Sequence, residues 1–346
     1  MASPRLILVG NPDIVHVGAH LYHAAESCGC GVALLNSEDA FQGPALIAKL
    51  NWWIRGRRPT RLRAFSANVL RACLEFRPDW LLSTGIAPIA EEALQSIGAL
   101  GIRRMNYLTD DPCNPHHRAP WFMRALRHYD QVFSPRRANL EDLRKLGCSD
   151  VSYLPFAYAP EVHFADPPAS EEETARFSAD VVFAGGADAD RLRHVTSLIR
   201  EGFHVALYGA YWHRHSETRR FALGHADPYT LRKAIGGSKV ALCLVRRANR
   251  DGHSMRTFEV AATGACMLTE DSEEHREILG PDGEAVIYFR TVPEMLQKLH
   301  WLVQRPDERR RLSVAVRSRV TNGQNTYAHR LGAMLDSIVD SRPMAC

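Results

Sequence analysis

Short apolar runs alternate with segments of helical periodicity along almost the whole chain, and this alternation limits the folds open to it. The pattern is typical of βαβ units, in which helices join parallel strands. Two such series flank a stretch at 156–178 that is rich in Pro, Ala, Ser and Glu and predicts a linker. The sequence therefore predicts an α/β protein with two doubly wound, Rossmann-like domains. The strand-like runs are RLILVG, GVALLN, DWLLSTG, RRMNYLT, QVFSP and VSYLPF in the first series, and ADVVFAGG, HVALYG, KVALCLV, ACMLTE and EAVIYF in the second.

Loops that follow the predicted strands are where a ligand is expected. In doubly wound sheets, ligands bind outside the carboxyl ends of the strands. Two such domains joined by a linker would place both sets of strand ends at one cleft. The polar residues of these loops are therefore the candidates for binding and chemistry. The loops lie at 10–18, 83–88, 109–118, 185–191, 208–215, 245–254 and 270–274.

Composition narrows the class of protein. The chain has 346 residues, of which 45% are hydrophobic and 24% charged, as in a globular protein with two cores. Its formal net charge of +4 does not predict a nucleic-acid partner. No apolar run approaches the roughly 18 residues of a membrane span, and we expect no secretory signal at the N-terminus. The eight cysteines show no C-x-x-C spacing, so we expect reduced thiols and a cytoplasmic location.

The run FAGGADADR ends a predicted strand and begins a helix. Gly185 and Gly186 would let backbone amides approach a phosphate, and Arg191 could pair with its oxygens. The helix N-terminus would add partial positive charge. The run matches neither a Walker loop nor G-x-G-x-x-G. A tight turn with a surface arginine explains the same residues, so both interpretations stay open here.

A second helix start lies in RDGHSMRTFE. Ser254 and Thr257 suit a first helical turn, whose free amides could hold a phosphate that Arg256 would neutralise. Glu259 enters an apolar helix, where its charge is costly to bury unless a ribose diol or a cation pairs with it. A capped helix with an exposed salt bridge is the alternative. We favour the ligand site, to which we also assign His253.

Polar residues that follow strands of the first half are candidates for catalysis. His16 follows the first strand and could remove a proton from an acceptor, although a hydrogen-bonded loop residue is the alternative. Asp110 or Asp111, in TDDP, could orient an acceptor hydroxyl or act as a base, although a proline-terminated Asx turn explains the same letters. His16, His20 and His23 share a helical face without a convincing carboxylate or cysteine, so we expect no metal site.

Residues 50–65 combine two tryptophans with five arginines. Such a segment can contact an anionic membrane surface or a phosphate-bearing acceptor. It can equally be a solvated arginine-rich helix, and the sequence leaves these alternatives open. A peripheral membrane contact is therefore one expectation beside the cytoplasmic location. The residues concerned are Trp52, Trp53, Arg55, Arg57, Arg58, Arg61 and Arg63.

The segment NRDGHSMRTFEVAATGACMLTE resembles the donor-binding segment of GT-B glycosyltransferases, in particular the spore-maturation CgeB-like group. Similar stretches are FRPDWLLSTG, YLTDDPC, YDQVFSPRRANLEDLRKLGCSDVSYLPFAYAPEVH, DVVFAGG and VALYGAYW. The ending NTYAHRLGAML is similar to a family ending in which the C-terminal helix crosses back. The resemblance implies the GT-B fold, with two Rossmann-like domains facing a cleft. It implies an acceptor-binding domain over 1–158, a nucleotide-sugar-binding domain over 159–324, and over 325–346 a helix that packs on the N-terminal domain.

The resemblance also implies a reaction, the metal-independent transfer of a sugar from a nucleoside-diphosphate sugar to an acceptor hydroxyl. No cofactor is expected beyond this co-substrate, and the acceptor could be a glycan, a protein or a small molecule in bacterial glycan or glycoconjugate biosynthesis. The pattern E-x(7)-E of retaining members is matched by Asp251 and Glu259, with aspartate in the first place, whereas a base at His16 favours inversion. An epimerase of the same fold and a catalytically silent nucleotide-sugar-binding subunit remain alternatives.

The expected site residues fall into two sets. The catalytic candidates are His16, Asp110 and Asp251, and the nucleotide-sugar-binding candidates are Gly185, Gly186, Arg191, Tyr208, Gly209, Arg246, His253, Ser254, Arg256, Thr257 and Glu259.

Overall fold

The computed structural model describes residues 3–336, which form two compact α/β units. The first unit contains residues 3–155, 248–250 and 327–336, and the second contains residues 156–247 and 251–326. The sequence places the boundary after residue 158, whereas the first unit of the structure ends at residue 155. Alternating strands and helices alone do not indicate that residues 248–250 belong with the first unit.

Six parallel strands form the sheet of the first unit. They are β1 (Arg5–Gly10), β2 (Gly31–Asn36), β3 (Trp80–Thr84), β4 (Arg103–Tyr107), β5 (Gln131–Ser134) and β6 (Val151–Tyr153). Their order is β2-β1-β3-β4-β5-β6. The helices between them are α1 (Val17–Ser27), α2 (Ala45–Trp53), α3 (Leu62–Phe76), α4 (Glu91–Ala99), α5 (Pro120–Leu126) and α6 (Leu140–Lys145). Ile7, Leu8 and Val9 are fully buried, as expected for a strand in a sheet covered on both faces.

The second unit has a parallel sheet of the same size. Its strands are β7 (Ala179–Ala184), β8 (Val205–Tyr208), β9 (Ala222–Gly224), β10 (Ser238–Cys243), β11 (Met267–Glu270) and β12 (Ile287–Phe289). Its helices are α7 (Glu171–Phe177), α8 (Ala189–Arg200), α9 (Pro228–Gly237), α10 (Met255–Thr263), α11 (Glu273–Leu279), α12 (Val292–Val303) and α13 (Pro306–Thr321). The strand order is β12-β11-β10-β7-β8-β9, so the predicted pair of doubly wound parallel sheets is confirmed.

Short polar side chains begin the helices of the second unit. Asp188, Ser272 and Thr291 precede α8, α11 and α12, and each accepts a hydrogen bond from the backbone amide three residues further on. Ser170 caps α7 in the same way, and three glutamates follow in its first turn, where the helix dipole favours negative charge. The prediction of a linker is therefore wrong over Glu171–Phe177, which is helical.

The final helix, α14 (Tyr327–Asp336), belongs to the first unit. The ring of Tyr327 stacks on His20 of α1, with centroids 4.9 Å apart. Arg330 donates a hydrogen bond of 2.8 Å to the carbonyl of Pro155, and Leu331 is fully buried. Residues 337–346 of the predicted returning helix lie outside the described residues. Among the helices described, none combines the length and the apolar character that crossing a bilayer requires.

Candidate functional site

The loops after β7 and β10 satisfy the topological condition for ligand binding in the second unit. These two strands are neighbours in the sheet, although β8 and β9 lie between them in sequence. From β7 the chain continues to β8 and β9 on one side of β7, and it then crosses to β10 on the other side. Such a reversal opens a crevice at the carboxyl ends of the strands. The predicted residues of this unit lie at the end of β8, in the loops after β7, β8 and β10, and in the first two turns of α8 and α10.

The loop after β7 lies against the loop after β8. Gly209 has a φ of +135°, and a Cβ there would lie 2.4 Å from the carbonyl oxygen of Gly185, so only glycine fits this position. The same carbonyl accepts a hydrogen bond of 2.7 Å from the indole of Trp212. Tyr208 is buried, and its burial raises the pKa of the phenol. Gly209 thus has a packing role whether or not a ligand binds near Gly185 and Gly186.

Arg191 and Arg246 share one carboxylate. Their Nε atoms lie 3.6 and 3.7 Å from the same Asp188 oxygen, and the other oxygen of Asp188 accepts the Arg191 amide. Burial, followed by the charge of Arg246, lowers the pKa of Arg191, whereas Asp188 and Asp251 raise it. The Nη1 of Arg191 donates to the carbonyl of Gly186 over 3.3 Å, but its buried Nε has no hydrogen-bond acceptor among the described residues. An anion at the start of α8 would satisfy that donor.

A buried chain of hydrogen bonds holds the first turn of α10. The amide of Ser254 donates to the Thr257 hydroxyl over 3.1 Å, as in a capping box. Nδ1 of His275 lies 2.7 Å from the carbonyl of Glu270, to which it donates, so Nε2 accepts from Thr257 over 2.9 Å. Burial lowers the pKa of His275 to about 4, so its ring is neutral at pH 7. The Thr257 hydroxyl is therefore engaged within the protein.

Glu259 is 2% exposed and paired on both sides. Arg256, one helical turn earlier, donates to one carboxylate oxygen. Nε2 of His163 lies 3.7 Å from the other oxygen. Because Nδ1 of His163 accepts the amide of Ala159 over 3.0 Å, the proton of the neutral ring is on Nε2, facing Glu259. Burial lowers the pKa of His163 and Glu259 opposes that effect. The salt bridge considered from the sequence exists, but its carboxylate is buried rather than exposed.

His253 and Asp251 occupy different environments in the loop after β10. His253 is fully buried; its Nε2 accepts the amide of Phe156 over 3.2 Å, and its Nδ1 donates to Glu274 over 2.6 Å. Both ring nitrogens thus support the loop. Asp251 is half-buried, and its charge reaches Arg191. Of these two predicted residues, Asp251 is the one open to a ligand from solvent.

Three predicted residues of the first unit follow strands at one edge of its sheet. His16 immediately precedes α1 and is exposed. The side chain of Asp110 is 42% exposed and lies 3.8 Å from His117. Asp111 is buried and forms hydrogen bonds of 2.7 and 3.0 Å to Arg250. Asp110 is thus the acidic residue of this loop that a substrate could contact, and Asp111 is structural.

The histidines predicted to share a face of α1 differ in burial. His20 is 1% exposed and stacks on Tyr327, whereas His16 and His23 are exposed. His23 lies 3.2 Å from Glu26, one turn later. Burial thus separates His20 from the two exposed rings, although the three recur at helical spacing in the sequence.

Several residues that shape the site were not predicted from the sequence. Asp188 had a visible signal, since an aspartate three residues before Arg191 at a helix start is an N-cap pattern. His163 lies in the predicted linker and offers no comparable signal. Glu270 accepts the Val245 amide over 3.2 Å and a hydrogen bond of 2.7 Å from Arg247. Only the strand pairing reveals that role, because these residues are distant in sequence.

Comparison with known protein families agrees with part of this site. Residues 190–336 match a family model described as "Glycosyl transferase-like". The matched region includes Arg191, Arg246 and the segment from Asp251 to Glu259, and it begins after Gly185 and Gly186. None of the curated proteins compared matches this sequence. The family match supports the predicted resemblance to glycosyltransferases in this region.

Solved structures share the fold over nearly the full chain. Sucrose-phosphate synthase from Thermosynechococcus elongatus has a TM-score of 0.67 at 11% identity, with 98% of this chain and 100% of that chain covered. Anabaena HepE in complex with UDP-glucose has a TM-score of 0.63 at 11% identity, with 98% and 100% covered. A putative UDP-N-acetylglucosamine 2-epimerase from Listeria monocytogenes has a TM-score of 0.58 at 12% identity, with 100% and 99% covered. The GT-B fold predicted from the sequence is confirmed, and these findings together with the family match support a glycosyltransferase enzyme.

Proposed function

We propose that this protein transfers a sugar from a nucleoside-diphosphate sugar to an acceptor hydroxyl. The observation that carries the proposal is the pair of guanidiniums, Arg191 and Arg246, around one carboxylate at the start of α8. Positive charge beside a helix N-terminus suits a diphosphate, because both stabilise the negative charge that develops as this group departs. The glycosyl transferase-like match covers both arginines and begins two residues after Asp188.

In this proposal Arg256 binds the diphosphate of the donor and Glu259 binds its ribose. Without ligand they satisfy each other, with the guanidinium 37% exposed and the carboxylate 2% exposed. On donor binding, Arg256 turns from Glu259 to the diphosphate, and the ribose hydroxyls donate to the carboxylate oxygen that it leaves. Exchange of partners keeps a buried carboxylate paired throughout, which avoids the penalty of an isolated buried charge.

The chemistry proposed is metal-independent, since two arginines and the helix N-termini supply positive charge for the leaving group. The bond from the sugar anomeric carbon to the diphosphate breaks, and a bond to the acceptor oxygen forms. We favour retention of configuration, in which the departing phosphate takes the acceptor proton, Asp251 lies near the sugar hydroxyls, and His16 and Asp110 position the acceptor. In the inverting alternative, His16 would take that proton.

The finer assignment follows the sequence resemblance. Membership of the CgeB-like group, a bacterial origin, a cytoplasmic location and a role in glycan or glycoconjugate biosynthesis all stay predictions. So does the acceptor, which could be a glycan, a protein or a small molecule. Residues 50–65 carry the predicted peripheral membrane contact, which does not depend on the transfer reaction.

Binding measurements with candidate donors test the proposal directly. The full chain is heated with UDP-, GDP-, dTDP- or CDP-sugars, and the unfolding midpoint is compared with that of the ligand-free protein. A donor present at one hundred times its Kd should stabilise the folded protein by about 2.7 kcal/mol. We expect one nucleotide series to raise the midpoint, and the nucleoside alone to raise it less.

Product analysis then separates the function from its alternatives. Slow release of free sugar from the donor without acceptor supports a transferase. Interconversion of two donor sugars would identify an epimerase, an alternative that the glycosyl transferase-like family match does not favour. Tight binding without turnover would indicate a silent partner subunit, and no shift with any nucleotide would contradict the proposed donor class.

A further inference from the structure

Helix α2 presents an apolar stripe to solvent. Leu46 is 79% exposed, Trp53 is 81% exposed and Ile54, which follows the helix, is 74% exposed. Ile47 and Leu50 are each nearly half exposed. These positions follow the i, i+1, i+4, i+7, i+8 spacing of a single helical face. We call these five residues the α2 stripe.

Little of α2 packs against the protein, since its residues other than Ala48 and Asn51 are exposed. Asn51 is the one buried residue of this helix, 4% exposed, and its side chain accepts a long hydrogen bond of 3.5 Å from Arg55. A surface helix normally turns its apolar face to the core and its polar face to water. In α2 the apolar side chains of the α2 stripe face solvent instead, so burial within its own unit does not account for the α2 stripe.

An arginine-lined cavity adjoins this helix. Its volume is about 550 Å³, and its lining includes Arg55, Arg58, Arg61 and Arg63 together with Asn51. Among the residues that the structure describes, no carboxylate forms an ion pair with any of these four guanidiniums. Elsewhere in the described chain, arginines commonly face acidic partners, as Arg104 faces Asp130. The cavity therefore concentrates uncompensated positive charge beside the α2 stripe.

The loop between α2 and α3 is anchored, so the two features keep a defined relation. Gly56 has a φ of +60°, and a Cβ there would lie 2.6 Å from the ring of Pro120. Arg57 donates a hydrogen bond of 2.9 Å to the carbonyl of Arg118, and the carbonyl of Arg57 accepts a hydrogen bond of 3.3 Å from the Trp121 indole. The guanidinium of Arg57 also lies 5.5 Å from the ring of Trp52.

We propose that this face of the first unit docks on a membrane surface that contains anionic phospholipids. The α2 stripe enters the boundary between headgroups and acyl chains, and the arginine-lined cavity receives lipid phosphates. An apolar helical face beside clustered arginines is typical of an interfacial membrane helix. The apolar side chains are buried among the lipids while the arginines are attracted to the anionic headgroups, and the two effects add to each other. The positive charge favours an anionic membrane over a second copy of this chain, because two copies of this basic surface would bring like charges together.

Vesicle binding tests the docking surface with the full chain. Sedimentation is measured with vesicles of phosphatidylcholine alone and with vesicles of equal parts phosphatidylcholine and phosphatidylglycerol. We expect at least roughly tenfold stronger partition to the anionic vesicles, because each arginine near such a surface contributes about fivefold. Raising the salt concentration should reduce the partition.

Matched variants locate the contact. Trp53→Ser with Ile54→Ser, and separately Arg58→Glu with Arg63→Glu, should each lower partition to anionic vesicles by roughly tenfold or more. The apolar control is Leu223→Ser with Val314→Ser, whose side chains are 54% and 66% exposed on the second unit. The charge control is Arg220→Glu with Arg305→Glu, which changes the net charge equally. Both controls should bind vesicles as the unaltered chain does.

Three results would overturn the docking proposal. The first is no binding of the unaltered chain to anionic vesicles, and the second is equal loss of binding in the control variants. The third is a concentration-dependent dimer that Trp53→Ser dissociates without any vesicle binding, which would assign the surface to a second copy. Circular dichroism of each variant verifies that it is folded. Donor binding does not enter the measurement, so failure here leaves the proposed transfer reaction standing.

Discussion

The carboxylate of Glu259 is held by two partners, of which sequence spacing reveals only one. Arg256 is one helical turn away in sequence, whereas His163 contacts Glu259 from a distant part of the chain. A buried carboxylate with one partly exposed partner can exchange that partner for a ligand without becoming unpaired. The proposed ribose-binding role of Glu259 requires this property, and not only the presence of a glutamate.

The first prediction concerns Glu259→Gln. This change keeps the shape of the side chain and removes its charge, so both the nucleoside and the nucleoside-diphosphate sugar should bind roughly ten- to a hundredfold more weakly. Titration calorimetry measures both affinities, and the exposed Glu273→Gln serves as the control. Unchanged affinity for both ligands would make Glu259 a structural residue.

Arg191→Ala should give a different pattern. The guanidinium faces the proposed diphosphate, so affinity for the nucleoside diphosphate should fall roughly tenfold or more, while affinity for the bare nucleoside changes little. Arg193→Ala, an exposed arginine of the same helix, is the matched control. Equal losses for both ligands would contradict the assignment, and the unfolding midpoint of each variant reports whether the loss is structural.

His16→Ala separates the two stereochemical courses. For a retaining enzyme we expect a product with the donor's anomeric configuration and a fall in turnover of less than roughly tenfold, with donor affinity unchanged. His23→Ala, within α1 and also exposed, is the control. An inverted product together with a loss of roughly a hundredfold or more would instead show that His16 is the general base.

At the scale of elements, α10 depends on neighbours that the motif RDGHSMRTFE does not contain. Its cap pairs Ser254 with Thr257, as the sequence indicates. Thr257 is in turn held by His275 of α11, which is tied to the end of β11. Three elements thus fix the first turn whose amides face the proposed phosphate, so the orientation of α10 depends on a neutral buried imidazole.

This imidazole makes stability depend on pH. The pKa of His275 is lowered from 6.5 to about 4 in the folded state, so the unfolded chain binds a proton first as pH falls. The contribution of His275 is present above pH 6.5 and is lost as pH falls towards 4. Between pH 7 and pH 5 the loss should be about 2 kcal/mol. Chemical unfolding measures the free energy of unfolding at both pH values, and the difference between them should be smaller for His275→Gln than for the unaltered chain. The exposed His213→Gln is the control and should behave as the unaltered chain. An unchanged difference in His275→Gln would contradict the prediction.

At the scale of the whole molecule, each unit draws on more than one stretch of chain. The first unit is completed by α14, whose Leu331 is fully buried and whose Tyr327 stacks on α1. The last helix of the first unit therefore follows the whole of the second unit in the sequence. Damage to α14 should consequently appear in the first unit, although α14 follows the second in sequence.

Leu331→Ala tests this assembly. Removing a fully buried leucine side chain should destabilise the first unit by about 2–5 kcal/mol. Hydrogen exchange followed by peptide should accelerate in α1 and β1, while β10 and β11 keep their protection. Leu299→Ala, a buried leucine of α12 in the second unit, should give the reverse pattern. Faster exchange in β10 and β11 of Leu331→Ala would contradict the assignment of α14.

The two α/β units, the strands of both parallel sheets except β9, and the loops that carry the candidate site could all be predicted from the sequence. These depend on periodicity and on caps such as Ser254, which are local properties of the chain. Three features could not be predicted from the sequence and are seen only in the folded protein. Asp111 accepts hydrogen bonds from Arg250, His253 is buried, and the apolar face of α2 is exposed to solvent. The physical reason is that pairing and burial depend on residues distant in sequence, and periodicity indicates which face of a helix is apolar but not what that face meets.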